Sequence, residues 1–235
     1  MNGYDACSKS MLPRNTPVIM RVDGRAFHTF TRRFKRPFDL DFKGLMDLVA
    51  INLCQEISGA RIAYMQSDEI NILIYPGIYQ DSWFGNNVQK MTSISASLAA
   101  AVAGKWVAER GMKDTFVTFD SRVFSIPEKD VCNYFIWRQR DWERNSLQMY
   151  CRAFYSQKEM QNKNNANMHE MLHEKGENWD KLPPFWKRGR CLNRVPSKGT
   201  TDGQQKYFWA LDDDIPVFTK SRNYIEDIIV AVNEV

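Results

Sequence analysis

The chain has 235 residues, of which 43% are hydrophobic and 26% are charged, so it can bury one large core or two closely packed smaller ones. Its net charge of +4 is mildly basic and compatible with a polyanionic partner. The cysteine count of five is odd, without a CxxC pair, which argues against a disulfide framework. No apolar run reaches the roughly 18 residues that span a bilayer. Because the N-terminus is also polar, we expect a cytoplasmic protein without a membrane segment.

The first half of the chain carries a regular succession of apolar patterns. Short β-branched runs predict strands, and apolar residues at helical spacing predict helices. The predicted order is a strand at 16–22, a helix at 39–58, strands at 61–66 and 70–75, a helix at 88–110 and a strand at 115–126. This β-α-β-β-α-β order is that of the split βαβ, ferredoxin-like α+β fold.

The character of the sequence changes after Pro127. The patterns there predict a helix at 128–155, a short helix at 168–175, a strand at 206–211 and a strand or helix at 224–232. We therefore expect one unit at 1–127 and a mainly helical C-terminal part at 128–235 packed on it.

Two aspartates stand at the ends of predicted strands. Asp23 follows the first strand and Asp68 precedes the third. In the ferredoxin-like fold these strands are antiparallel neighbours, so the two carboxylates meet at one edge of the sheet. Paired carboxylates suit Mg²⁺, which prefers oxygen ligands, whereas either aspartate alone would more often cap a turn or helix. The pair therefore predicts a metal site, in which two ions about 4 Å apart would promote phosphoryl transfer.

The residues around these aspartates extend the hypothesis. The backbone carbonyl of Gly24 can approach a metal closely, and the amides of residues 25–28 can wrap a triphosphate. Two interpretations stay open for Glu69, which either supports the metal through water or faces solvent at the start of its strand. Arg25 either contacts phosphate or is an exposed loop charge, and His28 alone is more often structural than catalytic.

Basic residues cluster in two further places. The first cluster, at 32–36, follows the Asp23 loop; the second combines Lys187, Arg188 and Arg190 with Phe185 and Trp186. Basic and aromatic side chains together suit RNA, through backbone contact and base stacking. Ordinary surface charge is the alternative explanation.

One motif points to a different chemistry. His169 and His173 form an HExxH pattern, which on a helix can present two imidazoles to zinc, as in metalloproteases. The flanking sequence is polar and rich in Asn, however, so we expect a solvated amphipathic helix instead. Phosphate-loop, Rossmann and nucleophile-elbow motifs do not occur in the sequence.

Several segments together resemble a known family, the tRNA-His guanylyltransferases, which add nucleotides in the 3′-to-5′ direction. The resemblance runs from about residue 17 to 194 and is specific only as a combination. The matching segments are residues 21–28, Arg36-Pro37, residues 66–69, residues 87–90, residues 119–122, residues 134–139, residues 144–146, Asn178-Trp179 and residues 187–190.

The resemblance implies a polymerase-type palm at 1–127, a fingers-like part at 128–235, two Mg²⁺ ions and the substrates ATP, GTP or other NTPs, and tRNA. The resemblance also implies a homo-oligomer, namely a tetramer. Asp23, the Gly24 carbonyl and Asp68 resemble metal ligands, and Glu69 resembles their acidic catalytic neighbour. The nucleotide-binding residues implied are Arg25, Ala26, Phe27, His28, Arg36, Ser67, Lys90, Arg122 and Asn145.

The sequence departs from the eukaryotic pattern at residues 143–146. The eukaryotic members carry His-x-Asn-Asn where this chain has Glu-Arg-Asn-Ser, a form similar to the bacterial, archaeal and phage branch. The resemblance therefore implies template-dependent repair of 5′-truncated tRNA, with addition of a single G to tRNA-His as the other activity. The alternatives to an enzyme of this family are a non-catalytic RNA-binding palm protein and a zinc peptidase.

Overall fold

A computed structural model describes residues 9–76, 81–112, 115–201 and 204–233. Its N-terminal elements are β1 (Val18–Gly24), α1 (Phe27–Phe30), α2 (Leu40–Glu56), β2 (Ala60–Gln66), β3 (Glu69–Ile74), α3 (Val88–Glu109) and β4 (Phe119–Ser125). They are followed by α4 (Val131–Cys151), α5 (Asn165–Glu174), α6 (Pro184–Lys187), β5 (Arg190–Thr201), β6 (Gln204–Asp212) and α7 (Asn223–Asn233). Single 3-10 turns lie at Thr31–Arg33, Trp83–Asn86, Glu128–Asp130 and Trp179–Lys181.

The strands form one antiparallel sheet in the order β4-β1-β3-β2-β5-β6. The first four strands have the ferredoxin-like arrangement, which confirms the predicted α+β fold. In the register of β1 and β3, Val18 lies opposite Ile74 and Asp23 lies opposite Glu69. The end of β1 therefore meets the start of β3, as the sequence predicts.

Alternating side chains of the sheet enter two cores. Val22, Ile70 and Ile72 point to the face covered by α2 and α3, whereas Ile19 and Leu73 point to the face covered by α4 and α7. This alternation follows from the period of two along a strand. Asp23 and Glu69 belong to the second face, so they lie on the side of α4.

The C-terminal part contributes strands that the sequence patterns only partly indicated. The predicted strand at 206–211 is the middle of β6, but β5 was not foreseen. Its 12 residues pair with β2 through Ile62 and Asn193 and with β6 through Leu192 and Leu211. The segment predicted as strand or helix at 224–232 is helical.

Local sequence explains where the main helices begin. The side chain of Asp39 accepts hydrogen bonds from the amides of Asp41 (2.8 Å) and Phe42 (3.0 Å) and so caps α2. Asn87 caps α3 in the same way, through the Lys90 amide. None of the described helices is long and apolar enough to cross a membrane.

Candidate functional site

Asp23 and Asp68 lie together where β1 meets the turn between β2 and β3. The backbone N–H of Gly24 donates to the carbonyl oxygen of Asp68 at 3.1 Å, which fixes the two loops to each other. The turn consists of Ser67 and Asp68, and Ser67 has a left-handed backbone with φ of 47°. A two-residue connection of this kind matches the twist of the strands that it joins.

The carboxylates at this edge repel one another. Burial and the neighbouring charges of Asp68, Glu69 and Asp120 raise the pKa of Asp23 to about 6. Burial likewise raises the pKa of Asp68. Asp120 lies directly opposite Asp23 on β4 and was missing from the predicted site residues; the alternation along β4 was the sequence signal that could have found it.

Glu69 is held by its neighbours. Arg138 of α4 donates to both of its carboxylate oxygens, at 2.8 and 2.7 Å, and the amides of Gln66 and Asn71 donate to Oε1 at 2.9 and 2.8 Å. Its charge is therefore satisfied inside the protein, and solvent is not its partner. Of the two interpretations of Glu69, the solvent-facing one is therefore wrong, and the catalytic role that the resemblance implies stays a prediction.

The donor set at this edge fits a hard cation that keeps part of its shell outside the protein. Among the described residues, no group of three or more His, Cys, Asp or Glu side chains could hold a metal ion. Asp23 and Asp68 would instead supply two oxygen ligands, and backbone, water or phosphate oxygens would complete the shell, as is usual for Mg²⁺. Burial, and then repulsion by neighbouring carboxylates, raises the pKa values of Asp23 and Asp68, and a bound cation would stabilise their charged forms.

The loop after β1 is tightly constrained at Gly24. A Cβ on Gly24 would lie 2.3 Å from the ring of Phe27, which is buried among Phe30, Phe42 and Phe119. Phe27 can thus contribute only its backbone to a ligand. The N–H of Arg25 is already bonded to the carbonyl of Thr118 at 2.9 Å, so this amide is not available to a triphosphate.

A cleft of about 380 Å³ opens beside the turn of Ser67 and Asp68. It runs from Ser67 between the segment after α1, the start of α2 and the C-terminal half of α4. Its walls carry aromatic rings, among them Phe38 and Trp186, which stack with centroids 4.8 Å apart. Its rim carries the basic residues Lys35 and Arg36.

The predicted nucleotide-binding residues divide into two groups. His28, Arg36 and Ser67 line the cleft, and Ala26 precedes His28 in the same loop with a left-handed φ of 55°. The others do not line the cleft. Arg25 and Lys90 have exposed side chains, Arg122 pairs with Asp120 at 3.1 Å, and Asn145 donates to Asp141 at 3.3 Å.

The second basic cluster contains one residue that cannot contact RNA. Arg190 is only 3% exposed, and its guanidinium pairs with Asp47 and donates to the carbonyl of Lys43. This is a correction to its expected RNA contact, because the Arg190 guanidinium is buried in an ion pair with Asp47. Lys187 and Arg188 are half-buried, and both lie near Glu143.

The HExxH segment is the amphipathic helix expected. Met168 and Leu172 of α5 are buried against Leu147 and Cys151 of α4, while His173 is exposed. The His169 ring packs edge-on against Trp179, with centroids 5.8 Å apart. In the part of the chain that the structure describes, this motif has no third ligand for zinc.

Comparisons with known proteins identify the architecture. The family model of the tRNA-His guanylyltransferases matches residues 1–127. A solved bacterial tRNA(His) guanylyltransferase-like protein in complex with ATP is 36% identical, with a TM-score of 0.88 over 97% of this chain and 96% of that one. The corresponding structure in complex with GTP is 34% identical, with a TM-score of 0.80 over the same shares.

A curated relative shows the same likeness in sequence alone. The tRNA(His) guanylyltransferase of Debaryomyces hansenii is 30% identical over 205 residues, which cover 78% of this chain and 75% of that protein. With the fold, the paired aspartates and these matches together, the chain belongs to the tRNA(His) guanylyltransferase family of nucleotidyltransferases.

Proposed function

We propose that this protein is a Mg²⁺-dependent nucleotidyltransferase that adds nucleotides to the 5′ end of tRNA. The observation that carries the proposal is the hydrogen bond between Gly24 and Asp68, which holds two carboxylates together at the mouth of an aromatic and basic cleft. Phosphoryl transfer needs this combination of fixed negative ligands and a positively lined substrate site.

The cleft is the proposed site of the activating nucleotide. ATP and GTP are bound by the two solved relatives of this chain. Here His28, Arg36 and Ser67 line the cleft. Ser67 adjoins Asp68 in the chain, and Arg36 would offer positive charge to phosphate groups. The stacked Phe38 and Trp186 line the same cleft and offer apolar surface to a base.

The proposed reaction has two steps for a 5′-monophosphorylated tRNA. An oxygen of the 5′-phosphate attacks the α-phosphorus of ATP or GTP, and pyrophosphate leaves. The 3′-hydroxyl of the incoming NTP then attacks the activated 5′-phosphorus, its proton is lost to solvent, and AMP or GMP leaves. A tRNA with a 5′-triphosphate enters directly at the second step and releases pyrophosphate.

The chain contributes mainly position and charge to this reaction. Asp23 and Asp68 would hold Mg²⁺, which when bound supplies charge neutralisation and a lower pKa for the attacking hydroxyl. Ionised Asp23 is required for this, because protonation removes the ligand charge. Arg138 holds Glu69 and so maintains the arrangement of charges behind Asp23.

Within this activity we favour template-dependent repair over addition of a single G to tRNA-His. The segment at 143–146 differs from the eukaryotic pattern, and its last residue, Ser146, is turned into the protein. Its hydroxyl donates to the carbonyl of Trp186 at 2.6 Å and accepts from the Trp179 indole at 3.0 Å. A residue held in this way cannot read the end of the tRNA.

We further propose a cytoplasmic homotetramer, whose mass light scattering would measure.

The proposal is tested with 5′-truncated tRNAs that differ in the base opposite the missing nucleotide. With Mg²⁺ and all four NTPs, we expect addition of the complementary nucleotide to each tRNA and no addition by Asp23→Ala. Addition of G alone, whatever the opposite base, would favour tRNA-His maturation. Binding of tRNA without any product would indicate a non-catalytic RNA-binding protein and contradict the proposal.

A further inference from the structure

Trp137 of α4 presents its indole to solvent close to the candidate active site. The residue is 54% exposed, which is unusual for a ring whose burial would be favourable. The ring is nevertheless supported by its neighbours. Its centroid lies 5.8 Å from that of Tyr134 in an edge-on contact, and the guanidinium of Arg138 lies 4.6 Å from it.

Tyr134 and Arg138, which support the Trp137 ring, are both connected by hydrogen bonds to the carboxylate of Glu69. The Tyr134 hydroxyl donates to the side-chain oxygen of Asn71, and Asn71 donates to Glu69. Arg138 donates to Glu69 directly, and Glu69 lies opposite Asp23 in the sheet. The exposed ring is therefore fixed relative to the proposed reaction centre by two chains of contacts that meet at Glu69.

The surface around Trp137 carries exposed arginines. Arg140 and Arg144 lie three and seven residues further along α4, so they share its side of the helix, and both are exposed. The carboxylate between them, Asp141, is already shared by Arg138 at 3.3 Å and Arg144 at 2.6 Å. An exposed aromatic ring flanked by cations is the combination that stacks nucleic-acid bases and contacts their phosphates.

The exposed surface at Trp137 suits the end of an RNA chain better than a free nucleotide. Small ligands bind in concave sites that enclose most of their surface, and the aromatic cleft on α4 is lined by Trp142, Met149 and Arg152. Trp142 lies five residues beyond Trp137, about 140° around the helix. The exposed Trp137 ring lies on a different side of α4 from this cleft. It therefore suits a base of an RNA chain that other contacts also hold in place.

We propose that Trp137 stacks on the base of the 5′-terminal nucleotide of the bound RNA and holds that end against Asp23 and Asp68. This inference rests on the proposed function, because it needs an RNA whose 5′ end lies at the metal site. Trp137 is then a binding residue for the RNA end and not for the activating nucleotide.

The test measures dissociation constants of a 5′-truncated tRNA and of ATP for the wild-type protein, Trp137→Ala and Trp137→Phe. We expect Trp137→Ala to weaken RNA binding by roughly 5- to 150-fold, the usual effect of losing one stacked base, with ATP affinity unchanged. Trp137→Phe should recover part of the loss. Phe208→Ala is the matched control. Phe208 is similarly exposed, at 52%, but it lies on β6, which β2 and β5 separate from the strands β1 and β3 beside the aspartates.

A second RNA isolates the stacking contact. With a tRNA that lacks the base of its 5′-terminal nucleotide, wild type and Trp137→Ala should bind equally. Equal binding of the intact tRNA by both proteins would overturn the inference while leaving the proposed function standing. A loss confined to ATP, or a changed oligomeric mass without an RNA effect, would also overturn it. Failure of the wild type to bind tRNA would overturn the proposed function and the inference together.

Discussion

Arg138 and Glu69 form a buried, two-pronged ion pair between α4 and β3, with nitrogen–oxygen distances of 2.8 and 2.7 Å. The pair joins the C-terminal part of the chain to the sheet beside Asp23. Because the carboxylate is also bonded to Gln66 and Asn71, the protein itself fixes the position of Glu69 beside the turn of Ser67 and Asp68. Such a pair fixes position well, while the net stabilisation it provides is small.

Breaking this pair from one side should be costly. Arg138→Met leaves Glu69 buried without its counter-charge, and we expect a loss of about 3–5 kcal/mol in the free energy of unfolding. Urea denaturation at pH 7 measures it. The double variant Glu69→Gln/Arg138→Met, which removes both charges, should lose less than the single variant. Equal or additive losses would contradict a coupled pair.

The pH dependence of stability should report the burial of Asp23 and its repulsion by neighbouring carboxylates. Its pKa is raised from 3.8 to about 6 in the folded protein, so the folded state binds the proton more tightly than the unfolded state. The stabilisation from this proton is complete below pH 3.8 and is lost as the pH rises through 6. Allowing for solvent screening of a partly exposed group, the loss is about 1–2 kcal/mol.

Asp23→Asn removes that titration and provides the measurement. In EDTA, the variant should match the wild type near pH 4 and be more stable by about 1–2 kcal/mol above pH 7. Denaturation curves at several pH values give the difference directly. A variant less stable than the wild type at pH 7 would mean that Asp23 makes a favourable contact that outweighs the repulsion.

Gly24 should not tolerate a methyl group. In Gly24→Ala the new Cβ would meet the Phe27 ring at 2.3 Å, and overpacking of this kind costs about 1–3 kcal/mol. Because the loop must shift, we also expect nucleotide addition to fall at least roughly tenfold. Thermal unfolding and a nucleotide-addition assay measure the two effects.

Gly104 offers the matched control for this substitution. It lies inside α3, and a Cβ at this position would meet no neighbouring atom within 4 Å. Gly→Ala inside a helix stabilises by up to about 1 kcal/mol. Gly104→Ala should therefore be as stable as the wild type or more so, with full activity. Equal losses in both variants would show that the Phe27 contact is not what selects glycine at position 24.

The exposed imidazole of the HExxH segment should be dispensable. His173→Ala alters neither the α4–α5 packing nor the aspartates, since His173 points to solvent and Leu172 makes the buried contacts. We expect unchanged activity and no zinc in the purified protein by elemental analysis. One zinc per chain, lost in the variant, would revive the metalloprotease interpretation.

Topology explains why part of the site could be predicted from the sequence. The β-α-β-β-α-β order brings the ends of β1 and β3 together, and this alone makes neighbours of Asp23 and Asp68. The ion pair of Glu69 could not be inferred in this way, because Arg138 lies 69 residues further along the chain on a helix whose rotation depends on packing. Sequence spacing does not determine which helical residue reaches a given strand.

The sequence patterns did not predict strand β5 because its composition is unlike that of a typical strand. Residues 193–201 contain Pro196, Lys198 and Gly199 in place of an alternating apolar pattern, and such residues are typical of turns. The strand exists because β2 and β6 offer hydrogen bonds on both sides. Tertiary pairing of this kind overrides local preference.

The most direct test of the account is single-turnover nucleotide addition by the wild-type protein, Asp68→Ala and Lys105→Ala. Lys105 is an exposed residue of α3 paired with Glu109, so its substitution controls for handling and folding. The account predicts that Asp68→Ala loses roughly a thousandfold or more in rate at saturating Mg²⁺, while Lys105→Ala keeps the wild-type rate. A folded Asp68→Ala protein that adds nucleotides at close to the wild-type rate would contradict a metal site built from Asp23 and Asp68.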